Sequence, residues 1–385
     1  KYGLQGRLDI FHHQPGGQSA IVELKSGKTF RPNAYGINQN HFTQTLLYDL
    51  IVRSVYGKRP DPLNYILYSV QETDGLRFAP VVRAQQMEAL QARNHLLAIE
   101  RRLADLRPDS PLQPAMFDKL AALPVSGFLK RDVEAFLEVY RKQSPLERRY
   151  FLAYTGFIAR EHQLAKTGVQ GLQQVNGLAS LWLNQPAEKE EQFEILRHLK
   201  VVSGEEAGAE KPIVRFRRTE HTNPLANFRR GDIAVLYPVF EEHANVLRDQ
   251  VFKCTILNID EEQITVRLRS RQFNTSLFES APYWNLEHDM LDGSFMGMYR
   301  QLFAFMGASS GRRALWLGKR PPQQPEEHLL EAPSGLTAEQ ADLFRRMLNA
   351  RDYFLLWGPP GTGKTSMMLR EVVGHLWKNT EESLL

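Results

Sequence analysis

The chain has 385 residues, 42% of them hydrophobic and 24% charged, with a formal net charge of +4. The length predicts two or three domains with enough apolar residues to fill their cores, and the small positive charge agrees with a nucleic-acid partner without requiring one. A single cysteine, Cys254, excludes a disulfide framework and a thiolate metal cluster within the chain. No run of about eighteen apolar residues and no signal-peptide pattern occurs, which points away from a membrane and to the cytosol or a nucleus.

Residues 1–82 read as strands plus one helix and form the expected first domain. Residues 83–202 read as mostly helical, with apolar residues at helical spacing over 84–106 and again from Asp132 and Glu147. The Gly- and Glu-rich run 203–211 reads as a linker. From 212 to 285 the period changes to two, and 233–239, 251–259 and 263–269 look like strands of a small barrel. Residues 286–306 return to a helical period, and Pro321, Pro322 and Pro325 mark a loop, so 286–332 is expected to be a stalk helix and loop. The remainder, 333–385, reads as strand, loop and helix. Both ends look cut: Lys1 is not an initiator methionine, the first nine residues already carry a motif, and the last twenty form only a helix. A fragment of something longer is therefore expected.

Gly358-Pro359-Pro360-Gly361-Thr362-Gly363-Lys364-Thr365 matches G-x-x-x-x-G-K-[ST], between apolar residues 353–357 and the helical pattern after it. Glycines let backbone N–H groups curl around phosphates, and the helix N-terminus adds partial positive charge. Lys364 is the candidate for the β- and γ-phosphates of ATP and Thr365 the candidate Mg²⁺ ligand. Upstream, Leu336-Thr337-Ala338-Glu339-Gln340 opens a helix. Gln340 is either half of a capping box with Thr337 or an adenine-reading side chain, and one residue can do both.

At the other end stand Gly6-Arg7-Leu8-Asp9, Glu23-Leu24-Lys25-Ser26-Gly27-Lys28 and Gln44-Thr45-Leu46-Leu47-Tyr48. Residues 4–11 and 19–25 read as strands joined by Pro15-Gly16-Gly17, a hairpin signal. A three-residue turn there sets Asp9 opposite Glu23, and period two brings Lys25 to the same face. Two carboxylates and an amine at one spot suit Mg²⁺ or Mn²⁺ and in-line attack on a phosphodiester. The alternative is a surface hairpin with a salt bridge. Gln44 and Tyr48 share one face of the following helix, whose expected buried stripe is Leu46, Leu47, Leu50 and Ile51. The two carboxylates are expected outside the core.

These motifs resemble two known families. The first three elements are similar to the RecB-type branch of the PD-(D/E)XK nucleases, with G-x-x-D, (D/E)-x-K-x-G and Q-x-x-x-Y in order. The resemblance implies that Asp9, Glu23 and the Leu24 carbonyl hold metal, that Lys25 positions water, and that Gln44 and Tyr48 contact the DNA backbone. The segment LTAEQADLFRRMLNARDYFLLWGPPGTGKT resembles the first motifs of superfamily 1 helicases in which a small barrel and stalk precede a RecA-like domain. The order of parts resembles the flap-trimming helicase–nucleases of replication. Further ATPase motifs are then expected beyond Leu385, and the chain alone is expected to bind nucleotide weakly without hydrolysing it. Those relatives carry a four-cysteine iron–sulfur cluster, so with Cys254 alone none is expected here.

The fold class that follows is α/β and multi-domain: a nuclease core, a helical insert, a β-barrel with its stalk, and the start of a P-loop domain. The leading expectation is an ATP-dependent DNA helicase with a metal-dependent nuclease acting on single-stranded or flapped DNA. The alternatives are a binding module with a vestigial nuclease and an RNA helicase of the same branch. Arg267, Arg269 and Arg271 fall on one strand face, and Arg215, Arg217 and Arg218 form a second basic run. Each is either a phosphate-tracking face or a solvated exterior.

Overall fold

The structure is a computed structural model that describes residues 3–12, 17–56, 61–107, 117, 119–168, 179–205, 212–240, 246, 249–272, 274–289, 293–325 and 328–379. A four-stranded sheet opens the chain in the order β1 (Ile10–His12), β2 (Ala20–Lys25), β3 (Leu63–Tyr68), β4 (Leu76–Phe78). β1 and β2 are antiparallel, with Ile10 opposite Val22, Phe11 opposite Ile21 and His12 opposite Ala20. Each pair sums to 32, the register that the hairpin spacing predicts. Pro15 and Gly16 of the expected turn lie outside the described residues. β2 and β3 run parallel, Glu23 opposite Ile66 and Lys25 opposite Tyr68. Parallel neighbours need a crossover, and α1 (Gln39–Tyr56) lies in that connection.

α1 buries a different stripe from the one its leucines suggest. Phe42, Thr45, Leu46, Asp49 and Val52 are buried at helical spacing, whereas Leu47, Leu50 and Ile51 are half-buried. Asp49 can lie inside because its carboxylate is answered. Arg53 Nε donates to it at 2.7 Å, Gln86 Nε2 at 3.1 Å and Asn64 Nδ2 at 3.2 Å, which removes the penalty of an unpaired buried charge. Gln86 belongs to α2 (Arg83–Ala104), so one carboxylate ties two helices and a strand together.

Two further helices follow, α3 (Gly127–Arg141) and α4 (Pro145–Thr167). α4 starts at a capping box between Ser144 and Glu147, with Pro145 in the first turn, where its missing N–H costs nothing. Arg160 of α4 donates to the carbonyls of Ala104 and Leu106 at 2.9 and 3.1 Å and so closes the C-terminal end of α2.

The barrel is larger than the period change suggests. After short α5 (Ser180–Leu183) and α6 (Pro186–Glu191) come β5 (Ile195–Glu205), β6 (Ile213–Arg217), β7 (Ile233–Val239), β8 (Phe252–Ile259), β9 (Gln263–Leu268) and β10 (Tyr283–His288). They close in the order β10-β5-β6-β9-β8-β7. The stretch 195–202 falls at the end of the span expected to be mostly helical, yet it forms most of β5. His198 has a φ of 55°, and pairing with β10 shifts between Trp284 and Leu286. The irregularity lets Leu196 and Leu199 both enter the barrel core, which a regular strand would forbid. The expected helix from 286 likewise begins only at Gly293, as α7 (Gly293–Gly307). Leu286, Glu287 and His288 finish β10, a strand buried on both faces and therefore without alternation. Trp284 and Leu286 fill the barrel, while Glu287 takes the Lys189 ammonium at 2.9 Å and a bond from the Tyr237 hydroxyl. Cys254 lies wholly inside the barrel, its thiol pushed up to about 12 by burial, and acts as a small core residue.

The chain divides into two compact units, Lys1–Leu137 with Gln143–Leu302, and Glu138–Lys142 with Phe303–Leu385. In the second, α8 (Ser310–Trp316), α9 (Ala338–Asn349) and α10 (Arg370–Asn379) are formed, and a π-helical turn over Lys364–Leu369 leads into α10. Phe344, Met368 and Val372 make its core, with Leu336, Leu343 and Leu356 against them. The strand expected over 353–357 pairs with no other among the described residues, although Phe354 and Leu356 alternate with exposed neighbours. A parallel strand depends on hydrogen-bonded neighbours, and apolar alternation alone does not supply them. Among the described residues no helix is long and apolar enough to cross a membrane.

Candidate active site

The β1–β2 register and α1 bring together Asp9, Glu23, Lys25, Gln44 and Tyr48. Lys25 Nζ lies 2.8 Å from Glu23 Oε1 and donates to Gln44 Oε1 at 3.0 Å. Gln44 Nε2 in turn donates to Glu23 Oε1 at 2.8 Å and to the Tyr48 hydroxyl at 2.9 Å. Asp9 Oδ2 accepts the Leu24 N–H at 2.9 Å, which pins the aspartate to the strand that carries the other groups. Asp9 is exposed, as expected, but Glu23 is only 3% exposed and lies at the edge of the core. Its strand face is the one covered by α1, where Ile21 packs against Tyr48 and Val52. Burial raises the Glu23 carboxyl above the ordinary carboxylate range. The bond from Lys25 pulls it back, and the charge of Asp9 pushes it up again.

Tyr48 is itself buried, and its hydroxyl accepts from Gln44 Nε2. Its ring explains Gly6: a Cβ at that position would lie 2.5 Å from Tyr48 Cε1. The glycine of G-x-x-D is thus needed for a close approach rather than for an unusual φ. His41 was not singled out from the sequence. It stands one turn before Gln44 on the same helix, with Nδ1 3.0 Å from the hydroxyl of buried Tyr68. Burial first, and then the charge of Lys25, lower its imidazole below the usual range. The spacing of three from Gln44 was the available signal.

Whether a cation suits this site turns on its oxygen atoms. Glu23 Oε2 is buried and, among the described residues, no group donates a hydrogen bond to it, an expensive state that a hard cation would relieve. Among the described residues no group of three or more His, Cys, Asp or Glu could hold a metal. Asp9 and Glu23, with the Leu24 carbonyl expected beside them, are the oxygen donors that a cation could find here. That set suits Mg²⁺ or Mn²⁺, which fill the rest of their shell with water and phosphate oxygens.

The glycine-rich loop over 358–365 is built differently. Gly361 and Gly363 have φ of 83° and 77°, values that side-chain-bearing residues rarely adopt. A Cβ on Gly358 would lie 2.7 Å from Thr362 Oγ1. Lys364 Nζ donates to the carbonyls of Gly358 and Pro359, and Thr362 Oγ1 donates to Pro359 at 2.8 Å. Thr365 and Pro360 are exposed. Gln340 Oε1 accepts the Thr337 N–H at 3.1 Å while Thr337 Oγ1 accepts from the Gln340 N–H, completing the capping box. Its Nε2 lies 3.9 Å from a Cβ built on Gly363, so the amide end borders the loop.

No protein-family model matches the chain. Across 95% of its length it is 24% identical to the DNA replication ATP-dependent helicase/nuclease DNA2 of Gallus gallus, and it spans 39% of that relative. Among solved structures, a flavohemoglobin of Malassezia yamatoensis with bound FAD and heme is 12% identical. It aligns over 66% of this chain and 59% of its own with a TM-score of 0.23, too poor a superposition to carry an argument. What the sequence comparison supports is a distant relationship to a helicase/nuclease.

Proposed function

We propose that this chain serves an ATP-dependent DNA helicase that also cuts single-stranded or flapped DNA with a divalent cation, in replication or repair. The observation that carries this reading is the wiring of Asp9, Glu23, Lys25 and Gln44 around an unanswered, buried Glu23 oxygen. Asp9, Glu23 and the Leu24 carbonyl hold the cation. Once bound, the ion supplies charge to the phosphate oxygens and makes water a better nucleophile at neutral pH. Lys25 orients the attacking water and counters the negative charge that builds on the phosphate. Gln44 keeps Lys25 and Glu23 in place, and Tyr48 holds Gln44. In the second unit, the backbone of Gly358–Gly363 cradles the phosphates of ATP, with Lys364 on the β- and γ-phosphates, Thr365 on Mg²⁺ and Gln340 beside the base.

The test is cleavage of a 5′-labelled single strand with Mn²⁺ or Mg²⁺, for the wild type and for Lys25→Ala. Metal-dependent products from the wild type and their loss in the variant are expected. Single-strand binding with no cleavage under either metal would leave a binding module with a vestigial nuclease.

A further inference from the structure

The outer wall of the barrel is covered on one side and bare on the other. On β7, Val235 and Tyr237 are buried against Leu181 and Val246, and on β10 Glu287 is buried against Lys189. On the opposite side β6 and β9 pair directly, with Arg215 opposite Thr265, Arg217 opposite Gln263 and Ile213 opposite Arg267. Their alternate residues Val214, Phe216, Val266 and Leu268 fill the barrel, so the arginines point outward. The two basic runs, 50 residues apart in sequence, therefore form one surface. β5 extends it, because Lys200 lies directly opposite Arg217. Lys200, Arg215, Arg217, Arg267 and Arg269 are all exposed.

A face needed only for solubility would alternate its charges. Like charges directly opposite on neighbouring strands destabilise a sheet, yet Lys200 and Arg217 are such a pair, and Arg215 and Arg267 are diagonal neighbours. The outward positions of β6 and β9 carry no acid, and on β5 a single acid, Glu205, stands opposite Ile213 at the end of the pair away from Lys200. The acids Asp260, Glu261 and Glu262 sit in the β8–β9 turn, where Asp260 is held by the backbone N–H groups of Glu262 and Gln263. Half-buried Tyr283 on β10 adds an aromatic ring beside Lys200, whose ammonium lies 5.4 Å from the ring centre. Rows of cations about 6.7 Å apart along a strand and about 4.8 Å apart across strands match a repeating polyanion. An aromatic neighbour is what single-stranded nucleic acid uses for its bases.

We infer that the outward face of β5, β6 and β9 is a binding track for single-stranded DNA, separate from the Asp9–Glu23 site. The inference rests on the DNA-processing reading above, which it deepens by naming where the strand runs. The track grips phosphates without reading sequence, and its strength comes from releasing counterions.

The experiment titrates labelled oligothymidylate into the full chain over a range of salt, without divalent cation. It compares the wild type with the fourfold variant Arg215→Gln, Arg217→Gln, Arg267→Gln, Arg269→Gln. Each lost phosphate contact should lower the log–log salt slope by about 0.7, so a decrease of about 3 is expected, with affinity down at least about tenfold at low salt. The double variant Lys200→Gln, Arg217→Gln removes the like-charge pair. It should bind more weakly while melting at the same or a higher temperature, which separates binding from folding. If the wild type binds and the fourfold variant keeps its slope, the track is overturned and the helicase–nuclease reading is left standing. A wild type that binds no single strand overturns both. Poly-glutamate bound as tightly as oligothymidylate overturns the track in favour of an acidic protein partner.

Discussion

The sheet site and the glycine-rich loop over 358–365 are built in opposite ways. The loop has the more specific sequence, eight contiguous residues of one pattern, yet the side-chain bonds of Lys364 and Thr362 go to its own backbone. The sheet site is drawn from positions 9 to 48, and each short motif in it is common. Its side chains nevertheless answer one another across β2 and α1, and Asp9 is tied in through the backbone of β2. The difference follows from what each is proposed to hold. Phosphate is gripped mainly by backbone N–H groups, so the requirement is local and sits in one string of residues. A cation needs charges from separate elements, so the requirement lies in register and packing. Variants at the two places should therefore fail in different ways.

Glu23→Gln is expected to have the largest effect. It should lower metal-dependent cleavage at least about a hundredfold, since several kcal/mol of charge stabilisation depend on the cation, and circular dichroism should show an unchanged fold. The same variant tests the electrostatics. Burial, with Asp9 adding to it, holds the Glu23 carboxyl above its ordinary range. Folding therefore disfavours its charged form. In metal-free buffer this contribution to stability is fully present below the ordinary carboxylate pKa and is lost as pH rises through the raised one. Melting temperatures measured from about pH 4 to 7 should carry this fall in the wild type and lack it in Glu23→Gln. Parallel curves would break the account of the buried carboxylate.

Lys364→Ala should act on the other region alone. Losing a charge-assisted contact worth about 1.5–3 kcal/mol should weaken ATP binding about 10- to 100-fold in a fluorescent nucleotide titration. Cleavage by the sheet site should be unaffected. Reduced cleavage would mean that the two sites are not independent.

Gly6→Ala probes packing under the sheet site. Its Cβ meets the Tyr48 ring at 2.5 Å, and displacing that ring should cost about 1–3 kcal/mol in denaturant unfolding. Gly27→Ala is the control, because a Cβ there meets nothing within 4 Å. Equal costs at the two positions would sink the close-approach explanation of the motif glycine.

The smallest effect is expected from Gln340→Ala. Loss of its bond to the Thr337 N–H should cost about 0.5–1.5 kcal/mol of unit stability. If the amide also meets the base, preference for ATP over GTP should fall in the same variant. An unchanged preference would leave Gln340 as a helix cap only.

By itself the sequence determined what depends on near neighbours. The glycines and lysine of the loop, the capping box of Thr337 and Gln340, and the sum-32 register of the hairpin all follow from spacing within a few residues or across one turn. The inward Val266 and Leu268 with outward Arg267 follow from the pleat of a single strand. Tertiary structure alone decided the rest, because it depends on what a segment meets. Leu196 and Leu199 share the barrel core only through the irregularity at His198, and β10 lost its alternation because both of its faces are covered. Asp49 could enter the core only with Arg53, Asn64 and Gln86 converging on it. The two arginine runs became one surface only when β6 and β9 paired, since hydrogen-bonded neighbours in a sheet need not be neighbours in the chain.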